Sequence, residues 1–147
     1  MLSQPVVDLL AALSTGGKRE FYKVSGASDF AAAKEDLAKM KIKRAAYVIP
    51  LADTAKPNQL LFNGIEQPVT EMFGVIMAIE NLRDQRGDAV NADLEAKRKA
   101  VINELLGFVP EVGYEPTQYG GGRLLALDTA TTWWQLDFIT GYVERKV

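Results

Sequence analysis

The sequence predicts a single α+β domain over residues 1–147, in which an antiparallel or mixed sheet of four to five strands packs with three helices. Helix-like and strand-like segments follow one another in the order α-β-α-β-β-α-β-β. Long strands that are adjacent in sequence, with no helix between them, favour antiparallel pairing. The length of 147 residues and the apolar fraction of 48% suit one domain with its own core.

Two helices and a short strand are predicted in the N-terminal part of the chain. SQPVVDLLAALSTGG predicts a helix, because Pro5 suits the first turn and Gly16-Gly17 would end it. EFYKVSG predicts a short strand, and SDFAAAKEDLAKM predicts a second helix with Ser28 as its cap. The apolar faces comprise Val6, Leu9, Leu10 and Leu13 in the first helix, and Phe30, Ala33, Leu37 and Met40 in the second.

Two strands are predicted in the middle of the chain, separated by the turn-rich loop DTAKPNQLLFNG. RAAYVIPLAD predicts a strand in which Pro50 marks an end or an edge. QPVTEMFGVIMAIENL is the longest strand candidate, and both of its alternating faces are apolar, as in a central strand that is covered on both sides. One face carries Val69, Phe73, Val75, Met77 and Ile79, and the other carries Met72, Gly74, Ile76 and Ala78.

The last third of the sequence predicts a helix, a long connection and a β-hairpin. The helix begins with Asn91 as its cap, ends at Leu106 and stops at Gly107. The connection GFVPEVGYEPTQYGGG ends in a glycine run that would give the backbone freedom at a corner of the sheet. RLLALD and TWWQLDFITGYVER alternate in polarity and are joined by TAT, which predicts the hairpin. The apolar stripe of the helix comprises Leu94, Val101, Ile102 and Leu105.

The two adjacent tryptophans must point to opposite faces of the last strand. Trp134 shares a face with Leu136 and Phe138, which identifies it as a core residue. Trp133 lies on the mixed face near the hairpin turn, so we expect it to be partly exposed in an isolated subunit and covered on assembly. The alternative is cover within the chain by the N-terminal helix or the glycine-rich connection. The residues predicted to be buried are Trp134, Leu136, Phe138, Phe73, Val75, Met77, Leu94, Val101 and Leu105.

Residues required by most catalytic and metal sites are missing. Histidine and cysteine are both absent, which excludes Ser-His and Cys-His nucleophiles, imidazole and thiolate metal sites, and disulfides. Glu71 and Glu80 fall on opposite faces of the long strand, and Asp84 and Asp88 fit a solvated turn. We therefore expect no enzymatic activity, no cofactor and no metal.

The charge and hydropathy patterns narrow the classes of partner. The net charge is -2 and the charges are interspersed, which differs from the basic footprint of a nucleic-acid-binding protein. The sequence contains no stretch of 18 apolar residues, so we expect no membrane span. The segment MLSQPVVDLLAALSTGG lacks the basic leader of a signal peptide. We expect neither membrane binding nor sequence-specific nucleic-acid binding.

Several short motifs, in order, carry a family resemblance over roughly residues 44–143. They are Gln67-Pro68-Val69-Thr70-Glu71, Asn81-Leu82-Arg83-Asp84, Leu105-Leu106-Gly107, Gly121-Gly122-Arg123-Leu124 and Trp133-Trp134-Gln135. Together they resemble the phage tail terminator-like proteins of long-tailed bacteriophages and prophages.

The resemblance implies a structural virion protein with a small α+β fold and no catalytic residues. Such proteins form a ring, usually a hexamer, on the head-proximal end of the tail tube, where the ring stops tube polymerisation and offers a surface for head joining. The implied partners are other copies of the chain, the tail tube protein and a head-completion or connector protein, and DNA could pass through the lumen. The implied location is the virion tail, with assembly in the host cytoplasm.

Four residues are interface candidates: Trp133, Arg83, Arg86 and Arg123. The two arginines of the RDQRGD turn would contact a neighbouring subunit or the tube, although a solvated turn is the alternative. Alternative functions are a head-closure or tail-completion protein of the same particle and a small-molecule-binding α+β module. An enzyme that uses carboxylates alone ranks last.

Overall fold

The computed structural model describes residues 3–30, 32, 44–80, 88–127 and 131–147. The helices are α1 (Ser3–Ala12), α2, of which residues 27–30 and 32 are described, and α3 (Asp88–Leu105). The strands are β1 (Ser14–Thr15), β2 (Lys18–Arg19), β3 (Lys23–Gly26), β4 (Arg44–Ala55), β5 (Ile65–Glu80), β6 (Gln118–Leu127) and β7 (Thr131–Lys146).

The main sheet has five strands in the order β3-β4-β5-β7-β6. β3 is parallel to β4, and the other neighbours are antiparallel, so the predicted α+β fold with a mixed sheet is confirmed. β5 is the central strand, as its two apolar faces predict. It pairs with β7 without a register shift from Ile65, opposite Lys146, to Glu80, opposite Thr131.

The helix side of the sheet holds the larger core, and we call it the helix face. α1 packs against β3, β4 and α3, and α3 also contacts β5 and β6. The rings of Phe73 and Phe138, on neighbouring strands, stack with their centroids 5.6 Å apart. Twelve buried side chains form this core: Val6, Leu10, Phe21, Ala46, Val48, Phe73, Val75, Met77, Val101, Leu105, Leu136 and Phe138.

A buried ion pair ties α3 to the segment before β3. Lys97 donates to Glu20, and both residues are buried. Burial alone would raise the pKa of Glu20, but hydrogen bonds from Lys97 and Thr15, with the charges of Lys97 and Arg44, lower it below its usual value. Asp93 lies 4.0 Å from the Lys97 ammonium and gives it a second, longer ion pair, so the cluster links α3 to the segment before β3 through opposite charges.

The other side of the sheet, which we call the opposite face, carries a smaller cluster. Five buried residues form it, and Phe30 at the start of α2 packs on them together with Ile49. The Phe30 ring lies 5.7 Å from the Tyr47 ring, centroid to centroid. The buried members are Ala45, Tyr47, Ile76, Ala78 and Trp133.

Several boundaries differ from the prediction for identifiable reasons. α1 ends at Ala12, and Gly16 and Gly17, with φ of 61° and 82°, form the turn of the unpredicted β1–β2 hairpin. Asn91 is not the cap of α3, which begins at Asp88, although Gly107 with φ 79° follows its end as predicted. Pro50 marks an edge rather than an end, because β3 pairs with β4 only up to Val48.

The glycine run at 120–122 lies inside β6 rather than before it. The register between β6 and β7 shifts between Tyr119 and Gly121, and Gly121 has φ 128°. A Cβ atom on Gly122 would lie 2.9 Å from the indole nitrogen of Trp134 and 2.9 Å from the Tyr119 hydroxyl oxygen. The run therefore permits a bulge and a close side-chain approach, in agreement with the predicted backbone freedom.

Most of the predicted core is confirmed. Leu94 and Trp134 are half-buried against the helix-face core, and the other seven predicted residues are buried. The proposed Ser28 cap lies within the helical residues of α2, while Ala33, Leu37 and Met40 lie outside the described residues.

Candidate interaction surfaces

Trp133 is buried, so its predicted exposure in an isolated subunit is wrong. Its side chain is only 4% exposed, and the Phe30 ring meets it edge-on with centroids 6.1 Å apart. The register sets Ala78 and Ala126 beside it on the two neighbouring strands, and these small side chains leave room for the indole to lie against the sheet. Its cover comes from α2, rather than from the N-terminal helix or the glycine-rich connection.

The other predicted interface residues are arginines. Arg83 and Arg86 lie outside the described residues. Arg123 lies on β6, where its guanidinium is 3.4 Å from an Asp137 carboxylate oxygen and its side chain is 58% exposed. Such an exposed pair contributes little to stability, so Arg123 is free to contact a partner, and its interface role stays a prediction. The predicted interface role of Trp133 depended on an exposed side chain, and that side chain is buried.

The loop between β4 and β5 presents a large apolar surface that the sequence analysis interpreted only as a turn-rich connection. Leu61 is 91% exposed and Phe62 is 85% exposed, and Leu60 beside them is also exposed. We call these three residues the apolar tip. The sequence feature that indicates this surface is the run of three apolar residues in an otherwise polar, turn-rich loop. Solvent-exposed loops are usually polar, so such a run suggests a contact surface.

The apolar tip is held by a hydrogen-bonded frame centred on Asn58. The Asn58 side chain accepts from the backbone N–H of Glu66 at 2.8 Å and of Leu60 at 3.1 Å, and it donates to the Gly64 carbonyl at 3.1 Å. Asn63 and Gly64 reverse the chain with φ of 37° and 100°. A loop that is fixed in this way loses little conformational entropy on binding.

The outer strand β6 is a second exposed apolar surface. Leu124, Leu125 and Leu127 are 50%, 39% and 67% exposed. Among the described strands, β6 ends the strand order and pairs with β7 alone, so its other edge is an outer edge of the described sheet. Long apolar edges of this kind are typical of surfaces that another chain covers.

A cavity of about 310 Å³ opens on the opposite face beside β6. Gln135 is its one polar lining residue among those described, and the Gln135 amide already donates to Asp137 at 2.6 Å. The lining residues are Phe30, Ile49, Ile76, Leu125, Ala126, Trp133 and Gln135.

A carboxylate pair lies near a second cavity of about 360 Å³, at the end of the sheet closer to the apolar tip. Asp53 and Glu71 are opposite each other on β4 and β5, and both line it. Burial, and then the negative charge of Asp53, raise the pKa of Glu71, and the Tyr114 hydroxyl donates a hydrogen bond to this carboxylate. Burial and the Glu71 charge in turn raise the pKa of Tyr114 to about 12.

Tyr114 and the Glu111 carboxylate, whose charge also raises the pKa of Glu71, are further titratable neighbours of this pair. Within the described ranges, no group of three or more acidic side chains is arranged to hold a metal ion. None of the described helices is long and apolar enough to cross a membrane. The main effect of the pair is on the pKa of Glu71 and Tyr114. The exposed apolar surfaces are the better candidates for function.

Comparison with protein-family models gives a match over nearly the whole chain. A sequence model of a protein family, described as phage tail terminator protein, matches residues 4–146. No curated protein matches the chain.

Proposed function

This chain belongs to the phage tail terminator family, and from that membership we propose that it forms a ring that caps the head-proximal end of the phage tail tube. It is a structural component of a phage tail. In the proposed role, the ring stops tube polymerisation and provides the surface to which the head is joined. The family match carries the proposal, because it spans residues 4–146 and so includes both sheets and all of the described core.

The proposed mechanism is geometric. One face of the ring matches the last ring of the tail tube, and the other face presents a different surface, so the next tube subunit finds no complementary site. Recognition by shape needs no catalytic group, and we propose that the protein has no enzymatic activity. The proposed partners are further copies of the chain, the tail tube protein and a head-completion or connector protein, and the lumen passes DNA.

The exposed apolar surfaces support an assembly function. Exposed apolar side chains that cluster on a surface often mark a protein–protein contact, and this chain exposes those of the apolar tip and the leucines of β6. These two surfaces differ from each other, as a head-to-tail contact requires. Head-to-tail contacts close into rings when the rotation between neighbours divides a full turn.

Tail length tests the proposal directly. Deletion of the gene from its phage or prophage should yield tubes of excessive and variable length, and expression of the wild-type protein should restore uniform tails. Immunogold labelling should place the protein at one end of each tail, and that end should be the one that joins the head.

The alternative, a head-closure or tail-completion protein of the same particle, gives a different phenotype. In that case the deletion would leave tails of normal length that fail to join heads. Tails of normal length in the deletion strain would therefore contradict the terminator role and favour this alternative.

A further inference from the structure

The turn that follows the apolar tip contains the one Asn-Gly pair of the sequence, Asn63-Gly64. In such a pair the backbone nitrogen of the glycine can attack the asparagine side chain, because glycine has no Cβ atom to block the approach. The product is a five-membered succinimide ring, which water opens to aspartate or isoaspartate. Whether a folded protein permits this reaction depends on the exposure of the pair and on the hydrogen bonds that occupy its groups.

The groups that would react are accessible. Asn63 is exposed at the surface of the loop. Neither its side-chain amide nor the backbone N–H of Gly64 makes a hydrogen bond to another residue that the structure describes. Gly64 is held through its carbonyl oxygen instead, which accepts from the Asn58 side chain at 3.1 Å. The attacking nitrogen and the side-chain carbonyl carbon are therefore both available.

Asn58, earlier in the same loop, is in the contrasting state. Its side-chain oxygen accepts from the backbone N–H groups of Leu60 and Glu66, and its side-chain nitrogen donates to Gly64. The backbone nitrogen that would attack it, that of Gln59, donates to the Glu66 carbonyl at 2.8 Å. Because the reacting groups at Asn58 are occupied, this residue is an internal control for the chemistry at Asn63.

The turn itself requires the reactive pair of residues. Asn63 and Gly64 have φ of 37° and 100°, and asparagine and glycine are the residues that adopt this region most readily. A Cβ atom on Gly64 would also lie 2.9 Å from the Lys146 carbonyl oxygen. The glycine that closes the turn against β7 is thus the same residue that leaves its nitrogen unhindered.

We propose that Asn63 is a site of self-modification, at which the folded protein releases ammonia and gains a negative charge beside the apolar tip. The Gly64 nitrogen loses its proton and bonds to Cγ of Asn63, and the bond from Cγ to Nδ2 breaks. Nδ2 leaves as ammonia together with that proton. One water molecule then opens the ring, and no oxidant or cofactor is needed.

The bond that water cleaves decides the product. Cleavage of the new bond between Cγ and the Gly64 nitrogen gives aspartate. Cleavage of the original peptide bond between the Asn63 carbonyl carbon and the Gly64 nitrogen gives isoaspartate, which lengthens the backbone of the turn by one methylene group. Either product carries a carboxyl group that is ionised at neutral pH.

The new charge would change the character of the surface. Leu60, Leu61 and Phe62 are uncharged, and the carboxylate would directly follow Phe62. A partner that covered the apolar tip would then have to remove water from a charged group, which weakens the contact. This consequence rests on the proposed assembly function, whereas the reaction at Asn63 does not.

Peptide mapping by mass spectrometry tests the site. The purified protein is kept folded in mildly alkaline buffer, which favours loss of the backbone proton, and is sampled over several weeks. Position 63 should convert progressively to aspartate and isoaspartate, while Asn58 and the exposed Asn103 on α3 remain asparagine. Isoelectric focusing should show a growing acidic form of the wild-type protein that the Asn63→Gln variant lacks.

Two results would overturn the proposal. The first is conversion of Asn58 or Asn103 as fast as, or faster than, that of Asn63. The second is conversion of Asn63 only in a parallel sample unfolded in urea, which would mean that the folded loop prevents the attack.

Complementation of tail length tests the consequence separately. Asn63→Asp carries the charge from the start and should restore uniform tails less well than the wild-type protein. Asn103→Asp makes the same change on the surface of α3 and should restore them fully. If Asn63→Asp restores them as well as the wild type, the charge does not weaken assembly and this consequence is wrong. If the wild-type protein itself does not control tail length, the proposed function fails, and peptide mapping still decides the modification site.

Discussion

The two faces of the sheet differ in how their apolar side chains are covered. On the helix face, α1 and α3 enclose a core of twelve buried residues. On the opposite face, the described cover is Phe30 over a cluster of five, and a cavity opens beside it. The same central strand, β5, contributes to both faces, so its sequence reveals two apolar faces without revealing how completely each is covered.

The tryptophan pair shows what this difference means for single residues. Trp133 lies on the less covered face and is nonetheless buried, whereas Trp134 lies on the helix face and is half-buried. The depth of a side chain thus depends on its immediate neighbours: Phe30 lies against Trp133, while Trp134 pairs with the exposed Leu124 near the margin of the sheet. At the ends of strands, the size of the core on each face therefore does not predict how deeply a single side chain is buried.

The largest expected effect is on the helix face. Phe138→Ala should lower the free energy of unfolding by about 3–5 kcal/mol, because its ring is fully buried between Phe73 and Tyr119. Urea denaturation would measure the loss. The matched control is Phe62→Ala, the same substitution at an exposed position, which should stay within about 0.5 kcal/mol of wild type. A loss below about 1 kcal/mol for Phe138→Ala would mean that the helix face is not the main core.

The opposite face should show a somewhat smaller but still large effect. Trp133→Ala should cost about 3 kcal/mol, the lower end for a buried aromatic residue, because the side chain is buried in the smaller of the two clusters. Fluorescence quenching by acrylamide in the Trp133→Phe and Trp134→Phe variants reports each indole separately. The indole of Trp133 should be the better shielded in the free protein. Efficient quenching of Trp133 would show that Phe30 does not cover it.

The glycine run beneath Trp134 should respond to a single methyl group. Gly122→Ala would force a Cβ atom against the Trp134 indole and the Tyr119 hydroxyl, and it should destabilise the fold by about 1–3 kcal/mol. Gly26→Ala is the control, because a Cβ atom there meets nothing within 4 Å. Thermal unfolding of both variants would measure the difference. Equal melting temperatures would mean that the margin of the helix face has room to adjust.

The smallest effect concerns the carboxylate pair and depends on pH. The raised pKa of Glu71 means that the folded state binds its proton more tightly than the unfolded state does. Stability should therefore fall as the pH rises from about 4.5 through the raised folded pKa, and the loss should persist at neutral pH. Glu71→Gln should be slightly more stable than wild type at pH 7 and should lose this pH dependence. An Asp53→Asn variant should reduce the dependence, since the Asp53 charge is one of its causes. Parallel stability curves for wild type and Glu71→Gln over this range would contradict the assignment.

Much of the fold could be predicted because alternation and helical spacing report which side of an element is apolar. The long central β5, the β6–β7 hairpin and the helix stop at Gly107 all follow from such local patterns. The parallel pairing of β3 with β4 is only allowed for by the predicted strand-helix-strand order, because that order permits a parallel crossover without specifying which strands lie side by side.

The candidate surfaces could be predicted only in part. Exposure depends on what another element covers, so the sequence placed Trp133 on the correct face but could not show that Phe30 lies over it. The apolar tip was missed because LLF was interpreted by its turn-forming neighbours. Its significance follows from its exposure and its hydrogen-bonded frame.

The unbroken pairing of β5 with β7 has a consequence for synthesis of the protein. A nascent chain that has left the ribosome only as far as residue 130 contains β5 but lacks β7, and the sixteen residues of β5 then have one bare edge. The strand that pairs with this edge lies some sixty residues further along the sequence. Contacts between residues so far apart in sequence form slowly, and the apolar side chains of β5 remain exposed to aggregation in the meantime. The pairing of β5 with β7 can therefore form only after β7 has been translated. Chaperones that bind the unpaired β5 should raise the yield of folded protein.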